Sequence, residues 1–230
     1  MTDMTDVTDV TGGTDRGDGT ARPDGAALLF AEFSTPVGVL AVVTDPTAEG
    51  DRPTGDIGAV VASGFLPVAQ VLEQLPDQVG SRAATADPLT PIADIVDRYF
   101  GGDIGALDEV PVSQRGGTFT ESAWAALRQV PAGEVVSYAE LAAAAGRPRA
   151  SRAAGTACAT NHVAPFVPCH RVVKSGGELG NYGYGTQVKA ALLRHEDALA
   201  GEDPWPDTGR EPTADKKTEK VVRPGTADGR

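Results

Sequence analysis

Cysteine and histidine are scarce in this chain of 230 residues: two cysteines, Cys158 and Cys169, and three histidines, His162, His170 and His195. None falls at the paired spacings that structural zinc sites use, so no metal site is expected. No apolar run approaches the roughly 18 residues that a membrane-spanning helix needs. The N-terminus has neither the charged start nor the apolar stretch of an export signal. A cytoplasmic chain is therefore the expectation, with both cysteines as thiols rather than a disulfide. Aromatic residues make up only 5% of the chain, whereas there are 28 glycines and 17 prolines. That much glycine and proline predicts that part of the length is unstructured.

Positive charge is also short, with a net charge of −12, but the deficit is local. Residues 1–118 carry 6 Lys/Arg against 19 Asp/Glu, a net of −13, whereas residues 119–199 carry 8 against 6, a net of +2. Acidity confined to the first half does not exclude a nucleic-acid partner for the second, and +2 is in itself a weak signal. Residues 1–24 repeat Thr-Asp and Thr-Gly units with almost no large apolar side chain. They read as a disordered tail, as do residues 201–230, where Trp205 between two prolines is the one oddity.

Between the tails, residues 25–115 read as a small α+β domain. Leu28-Leu29-Phe30, Val37 to Val43 and Ile57 to Val61 have the composition of strands, and the Pro- and Gly-rich Asp45–Gly55 stretch that of a long loop. Leu66 to Leu75 and Ile92 to Phe100 have helical spacing. No chemistry is visible in this half, which reads as scaffolding. Residues 116–200 are more sharply punctuated. Thr118 with Glu121 and Ser137 with Glu140 match capping boxes, each opening a helix, and Gly146 reads as the end of the second. Pro148 then leads into Arg149-Ala150-Ser151-Arg152-Ala153-Ala154-Gly155. Two short helices about a Gly-containing turn form a helix-turn-helix, with arginines projecting from a small-residue surface. An Ala-rich core helix would have the same composition.

The informative stretch is Pro168-Cys169-His170-Arg171-Val172-Val173. A thiol reacts as thiolate, and a neighbouring His and Arg are the groups that accept its proton and favour the anion. A bare Cys-His pair is common, and most lone cysteines are core hydrophobes. What distinguishes this one is its company: Val135-Val136-Ser137-Tyr138, Arg152-Ala153-Ala154-Gly155, Asn161, Val167 to Val173, Gly180-Asn181-Tyr182, and Lys189 through Leu192-Leu193 to Glu196. In this order and spacing, residues from about Phe119 to Glu196 resemble the catalytic domain of the O6-alkylguanine-DNA alkyltransferases, or methylated-DNA–protein-cysteine methyltransferases. Thr35-Pro36-Val37-Gly38 and Tyr99-Phe100-Gly101-Gly102 resemble the family's N-terminal domain more loosely.

The resemblance implies an α+β N-terminal domain followed by a mainly α, helix-turn-helix (winged-helix-like) catalytic domain. It also implies a single-use transferase that needs no cofactor and moves an alkyl group from O6 of guanine onto Cys169. His170 would take the thiol proton through a water, Glu196 would orient the imidazole, and Asn161 would hold the turn carrying Cys169. Tyr138 would assist the leaving guanine at a ring nitrogen. The Gly183 N–H and the carbonyls of Cys169 and Val172 would meet the base edge, Tyr182 would wall the pocket, and Lys189 would share a helix face with Glu196. Arg152 would replace the everted base in the stack, with Arg149 and Arg147 on phosphates and Ala150, Ala153 and Ala154 allowing close approach to the minor groove of duplex DNA. The protein would act as a monomer. Tyr184 stands where some members have glycine, which implies a tighter fit for bulky adducts, and Ala164-Pro165 departs from the Pro-apolar pair of some relatives. The N-terminal zinc site of some members has no counterpart, since residues 1–157 contain neither Cys nor His.

Three other readings compete. Alkyltransferase-like binders usually replace the reactive cysteine, which is present here. A helix-turn-helix regulator, including one that responds to alkylation of a cysteine, leaves Cys169, His170, Asn161 and Glu196 without a role. A cysteine hydrolase normally draws its Cys and His from distant parts of the chain.

Overall fold

The computed structural model describes residues 26–52 and 57–199. The two expected tails and Trp205 lie outside these residues. Strands β1 (Leu28–Thr35), β2 (Gly38–Asp45), β3 (Ala59–Gly64) and β4 (Ala84–Ala86) form a mixed sheet in the order β3-β2-β1-β4. β1 and β2 pair antiparallel from Leu29↔Thr44 to Thr35↔Gly38, which leaves Pro36 and Val37 as the turn. β2 is flanked on both edges and buried from Leu40 onward. Its period of two sends Leu40 and Val42 into one apolar cluster and Ala41 and Val43 into another. The second cluster is closed by Val71 and Leu75, from and just beyond the short helix α1 (Val68–Leu72). After α2 (Asp77–Gly80), α3 (Thr90–Phe100) turns Ile92, Val96 and Tyr99 inward at helical spacing.

The first cluster continues into the rest of the chain. It takes in Trp124 and Leu127 of α4 (Thr118–Leu127), Leu141 of α5 (Tyr138–Ala144), Ala154 of α6 (Ser151–Ala159), Phe166, Cys169, and Leu192 of α7 (Thr186–His195). Backbone bridges Val60↔Val112 and Ser63↔Val163 stitch β3 to the same region. A second, two-stranded sheet pairs β5 (Val136–Ser137) with β6 (Val172–Val173) in parallel.

Three details of the sequence reading change. β1 runs five residues beyond its apolar triplet, because pairing with β2 carries the alternating segment to Thr35. Thr118 does not cap α4: Gly117 holds the extended cap position, and Glu121 Oε1 reaches back instead to the Gly116 N–H at 2.9 Å. The helical spacing over Leu66 to Leu75 yields only the five-residue α1, which begins after Pro67 and stops at Glu73, ahead of Pro76. The second capping box is present as read, with Ser137 N–H donating to Glu140 Oε2 at 2.6 Å and Glu140 N–H to Ser137 Oγ at 3.2 Å. Gly146 at φ +82° ends α5 in the left-handed conformation that glycine adopts without penalty. There Arg147 N–H returns to Ala142 O and Gly146 N–H to Ala143 O, the paired closure of a Schellman motif.

Candidate active site

Cys169, His170 and Arg171 make up one turn of 3₁₀ helix leading into β6. Three residues per turn set successive side chains roughly 120° apart, so these neighbours in sequence point in three directions. Cys169 faces Asn161, whose Nδ2 donates to Cys169 Sγ at 3.2 Å and to Val167 O at 2.8 Å. Asn161 Oδ1 in turn accepts from Val163 N–H at 3.1 Å and from Gln114 Nε2 at 3.2 Å. With both ends of its amide engaged, Asn161 clamps the 161–169 loop around the sulfur. It lies just past α6, whose cap is Thr160.

Arg128, at the end of α4, holds the outer side of that loop. It is buried, and its guanidinium donates to Phe166 O at 2.9 Å, Val110 O at 2.8 Å and Asp108 O at 3.1 Å, while Nε meets Asp51 at 3.0 Å.

His170 is fully buried and turns to Glu196, with Nε2 3.1 Å from Oε1. A carboxylate only accepts, so Nε2 carries the proton and Nδ1 keeps the lone pair. That Nδ1 is buried with no hydrogen-bond partner. Glu196, at the end of α7 and also fully buried, has further donors. Arg171 Nε reaches Oε2 at 3.0 Å, Arg171 Nη2 reaches Oε1 at 2.9 Å, and Tyr99 Oη donates to Oε1 at 2.8 Å. Burial opposes ionisation of Glu196, yet the Arg171 charge and these bonds hold its carboxyl well below the usual carboxylate range. Burial pushes the His170 pKa down despite the facing carboxylate, which keeps the imidazole neutral.

The thiol does not follow the simple expectation. Burial pushes the Cys169 pKa up, opposed by the Asn161 bond and by the charge of Lys189. Arg171 is not among the groups that favour its anion. The guanidinium is occupied by Glu196 and by Val130 O at 2.7 Å, because the 3₁₀ turn aims it away from the sulfur. Lys189, buried on α7, donates to Val172 O at 2.5 Å, and burial brings its pKa down to about 8.

Among the remaining residues singled out from sequence, Tyr138 opens α5 and its ring lies in the space next to Gly155 and Gly180. Tyr182 stands edge-on to His170, with ring centroids 6.3 Å apart, and its hydroxyl is buried without a partner. Tyr184 lies edge-on to Tyr182 at 5.3 Å. Gly183 is exposed. The Val172 carbonyl, expected at the base edge, already accepts from Lys189. Arg147, Arg149 and Arg152 are all exposed on the α5–α6 connection and the start of α6, with Arg147 stacked over Phe119 at 5.6 Å. Ala153 is exposed beside Arg152, but Ala154 is fully buried, so it packs the core instead of lining that surface. The 3.6-residue period makes α6 both things its composition suggested, an arginine-bearing face and an alanine core face. Tyr99, Gln114, Arg128 and the true partner of Arg171 were missed by sequence reasoning. Among the described residues there is no cluster of metal-ligating side chains and no helix long and apolar enough to cross a membrane.

Comparison with known proteins bears on this arrangement. The profile of the family described as "6-O-methylguanine DNA methyltransferase, DNA binding domain" matches residues 118–198. A methylated-DNA–protein-cysteine methyltransferase of Shigella flexneri is 33% identical over 173 residues, spanning 75% of this chain and 97% of that protein. One from Mycobacterium bovis is 36% identical over 155 residues, 66% of this chain and 93% of that protein. The fold is similar to that of the Mycobacterium tuberculosis OGT solved in complex with DNA, with a TM-score of 0.58 and 31% identity over 74% of this chain and 92% of that one. Relatives matched nearly end to end at this identity decide the matter: the chain belongs to the methylated-DNA–protein-cysteine methyltransferase family.

Proposed function

We propose that the protein repairs alkylated DNA by direct reversal, taking the alkyl group from O6 of guanine onto Cys169 once and irreversibly. Cys169 Sγ attacks the alkyl carbon, so that an S–C bond forms as the C–O6 bond breaks. The thiol proton passes through one water to His170 Nδ1, and Glu196 stabilises the imidazolium that results. A buried imidazole nitrogen with no partner calls for an explanation, and proton acceptance supplies one. As the C–O6 bond breaks, negative charge builds on the guanine, and Tyr138 donates at a ring nitrogen to offset it. The Gly183 N–H, the Cys169 carbonyl and the lone pair of the Val172 carbonyl not taken by Lys189 meet the base edge, with Tyr182 and Tyr184 as pocket walls. Lys189 favours the thiolate while steadying β6 through Val172.

The target atom lies inside a duplex, so the nucleotide must be everted. Residues 116–200 act as a winged-helix-like helix-turn-helix unit and residues 25–115 as its support. The exposed face of α6 enters the minor groove, where Arg152 fills the gap in the stack, since a guanidinium both stacks and hydrogen-bonds. Arg147 and Arg149 meet phosphates, which dominate affinity. The protein acts as a monomer, in the cytoplasm.

The observation that carries this reading is the buried chain Asn161–Cys169 beside His170–Glu196. A purely regulatory DNA-binding role leaves it without a task. The test is to incubate the protein with duplex DNA bearing one O6-methylguanine and to weigh the peptide containing Cys169. One added methyl mass per chain is expected, absent in Cys169→Ala although that variant still binds. An unmodified peptide with the lesion intact would refute the assignment.

A further inference from the structure

Gly64, at the end of β3, has a backbone in the ordinary strand region, so no left-handed conformation explains the absence of a side chain there. Space does. A Cβ at Gly64 would lie 2.2 Å from the Tyr184 hydroxyl and 2.6 Å from Cζ, inside any permitted contact. The phenol of Tyr184 thus rests against bare backbone 120 positions earlier in the chain. Its hydroxyl donates to the neighbouring Ser63 O at 3.3 Å, and Phe65 meets the ring edge-on at 5.7 Å. Ser63, Gly64 and Phe65 together form a seat for one side chain.

The seat is stiff. Ser63 is fully buried, its N–H donates to His162 O at 2.8 Å, and its hydroxyl donates to Ala164 O at 2.9 Å. It is therefore fixed to the loop that carries Cys169. From the other edge of Tyr184, rings follow one another through Tyr182 to His170. A phenol held at its far end against β3 cannot retreat when a larger group enters beside Tyr182.

We propose that Gly64 is a specificity-determining residue: by seating Tyr184 it fixes the size of the alkyl group that the site admits. This rests on the alkyl-transfer reading above. With a methyl group in Gly64's place something must move, and the flexible phenol yields before the pinned strand does. Once unseated, Tyr184 loses its bond to Ser63 and is free to swing away from an incoming chain.

The experiment measures single-turnover transfer to Cys169 from duplexes carrying O6-methylguanine or O6-butylguanine, using the full chain, Gly64→Ala and Tyr184→Phe. The butyl-to-methyl rate ratio should rise about tenfold in Gly64→Ala, the scale on which pockets discriminate small apolar groups. It should rise less in Tyr184→Phe, which loses the hydroxyl but not the ring. A merely structural role for Gly64 lowers both rates together and leaves the ratio unchanged, and an unchanged ratio overturns the proposal. If Gly64→Ala does not fold, the Tyr184→Phe ratio decides alone. An unmodified chain that transfers neither group sinks the alkyl-transfer reading and this inference with it, an outcome distinct from transfer with an unaltered ratio.

Discussion

The Tyr99 hydroxyl donates to Glu196 Oε1 at 2.8 Å although 97 positions separate the two residues, and neither has measurable exposure. Through this bond the first half of the chain reaches the carboxylate that faces His170.

Removing that hydroxyl tests how far Glu196 depends on it. Tyr99→Phe keeps the ring in the core but leaves Oε1 with only His170 and Arg171 as donors. A hydrogen bond to a charged acceptor contributes ~1.5–3 kcal/mol, and the urea midpoint should fall accordingly. Glu196→Gln should cost more, about 3–5 kcal/mol, because it leaves the buried Arg171 cation with only the partly exposed Asp108 carboxylate, 3.7 Å away, as counter-charge. Equal losses in the two variants would contradict this ordering.

Asn161→Ala removes the donor to Cys169 Sγ and the brace on Val167 O. Burial already pushes the thiol pKa up and the Asn161 bond opposes it, so the variant's thiol should titrate higher still. The pH dependence of Cys169 alkylation by iodoacetamide, in a Cys158→Ser background, measures this. A profile that stays in place would mean that the amide does not stabilise the anion.

Acid should weaken the fold in two stages. Burial keeps the folded His170 pKa below its ordinary value, whereas the unfolded chain binds a proton there near pH ~6.5. Unfolding therefore takes up a proton below that pH, so the His170 contribution is complete above about pH 6.5 and declines below it, by at most ~1.4 kcal/mol per pH unit. Glu196 is held below its ordinary range, so its contribution is present above the unfolded value of about 4.3 and disappears as pH falls further. Urea midpoints followed from about pH 7.5 down to about pH 2 should show both stages, and His170→Gln should remove the upper one while a lower stage persists.

Arg152 is exposed at the start of α6 and has no task in the fold that its position explains. If it occupies the stack after eversion, Arg152→Ala should slow transfer from duplex DNA about tenfold, or ~1.4 kcal/mol of barrier. Transfer from a single strand, where no stack needs filling, should change less. Equal slowing on both substrates would remove the stack-filling role.

Much of the site was readable because its pieces lie close together in sequence. Cys169 and His170 are adjacent, Asn161 lies just past the cap of the helix before them, and Lys189 and Glu196 share α7 and its cap. Tyr99 was not readable, because a tyrosine completing the apolar stripe Ile92, Val96, Tyr99 looks like core, and it is core with one polar atom. Arg171 was misread for the opposite reason. Adjacency to Cys169 suggested a contact that the 3₁₀ turn prevents. Gln114 and Arg128 act through partners 18 to 77 positions away, distances at which local pattern carries no information. β4 and α2 are too short to leave a periodic signal, and tertiary pairing alone defines them.

Cys169 is only 7% exposed, and its thiol is disposed to stay protonated. For a molecule that acts once, this reticence has a use. Small electrophiles in solution attack thiolates, and each such encounter would discard a whole repair protein without removing a lesion. A sulfur kept dry and uncharged until a base arrives in front of it is spared that loss.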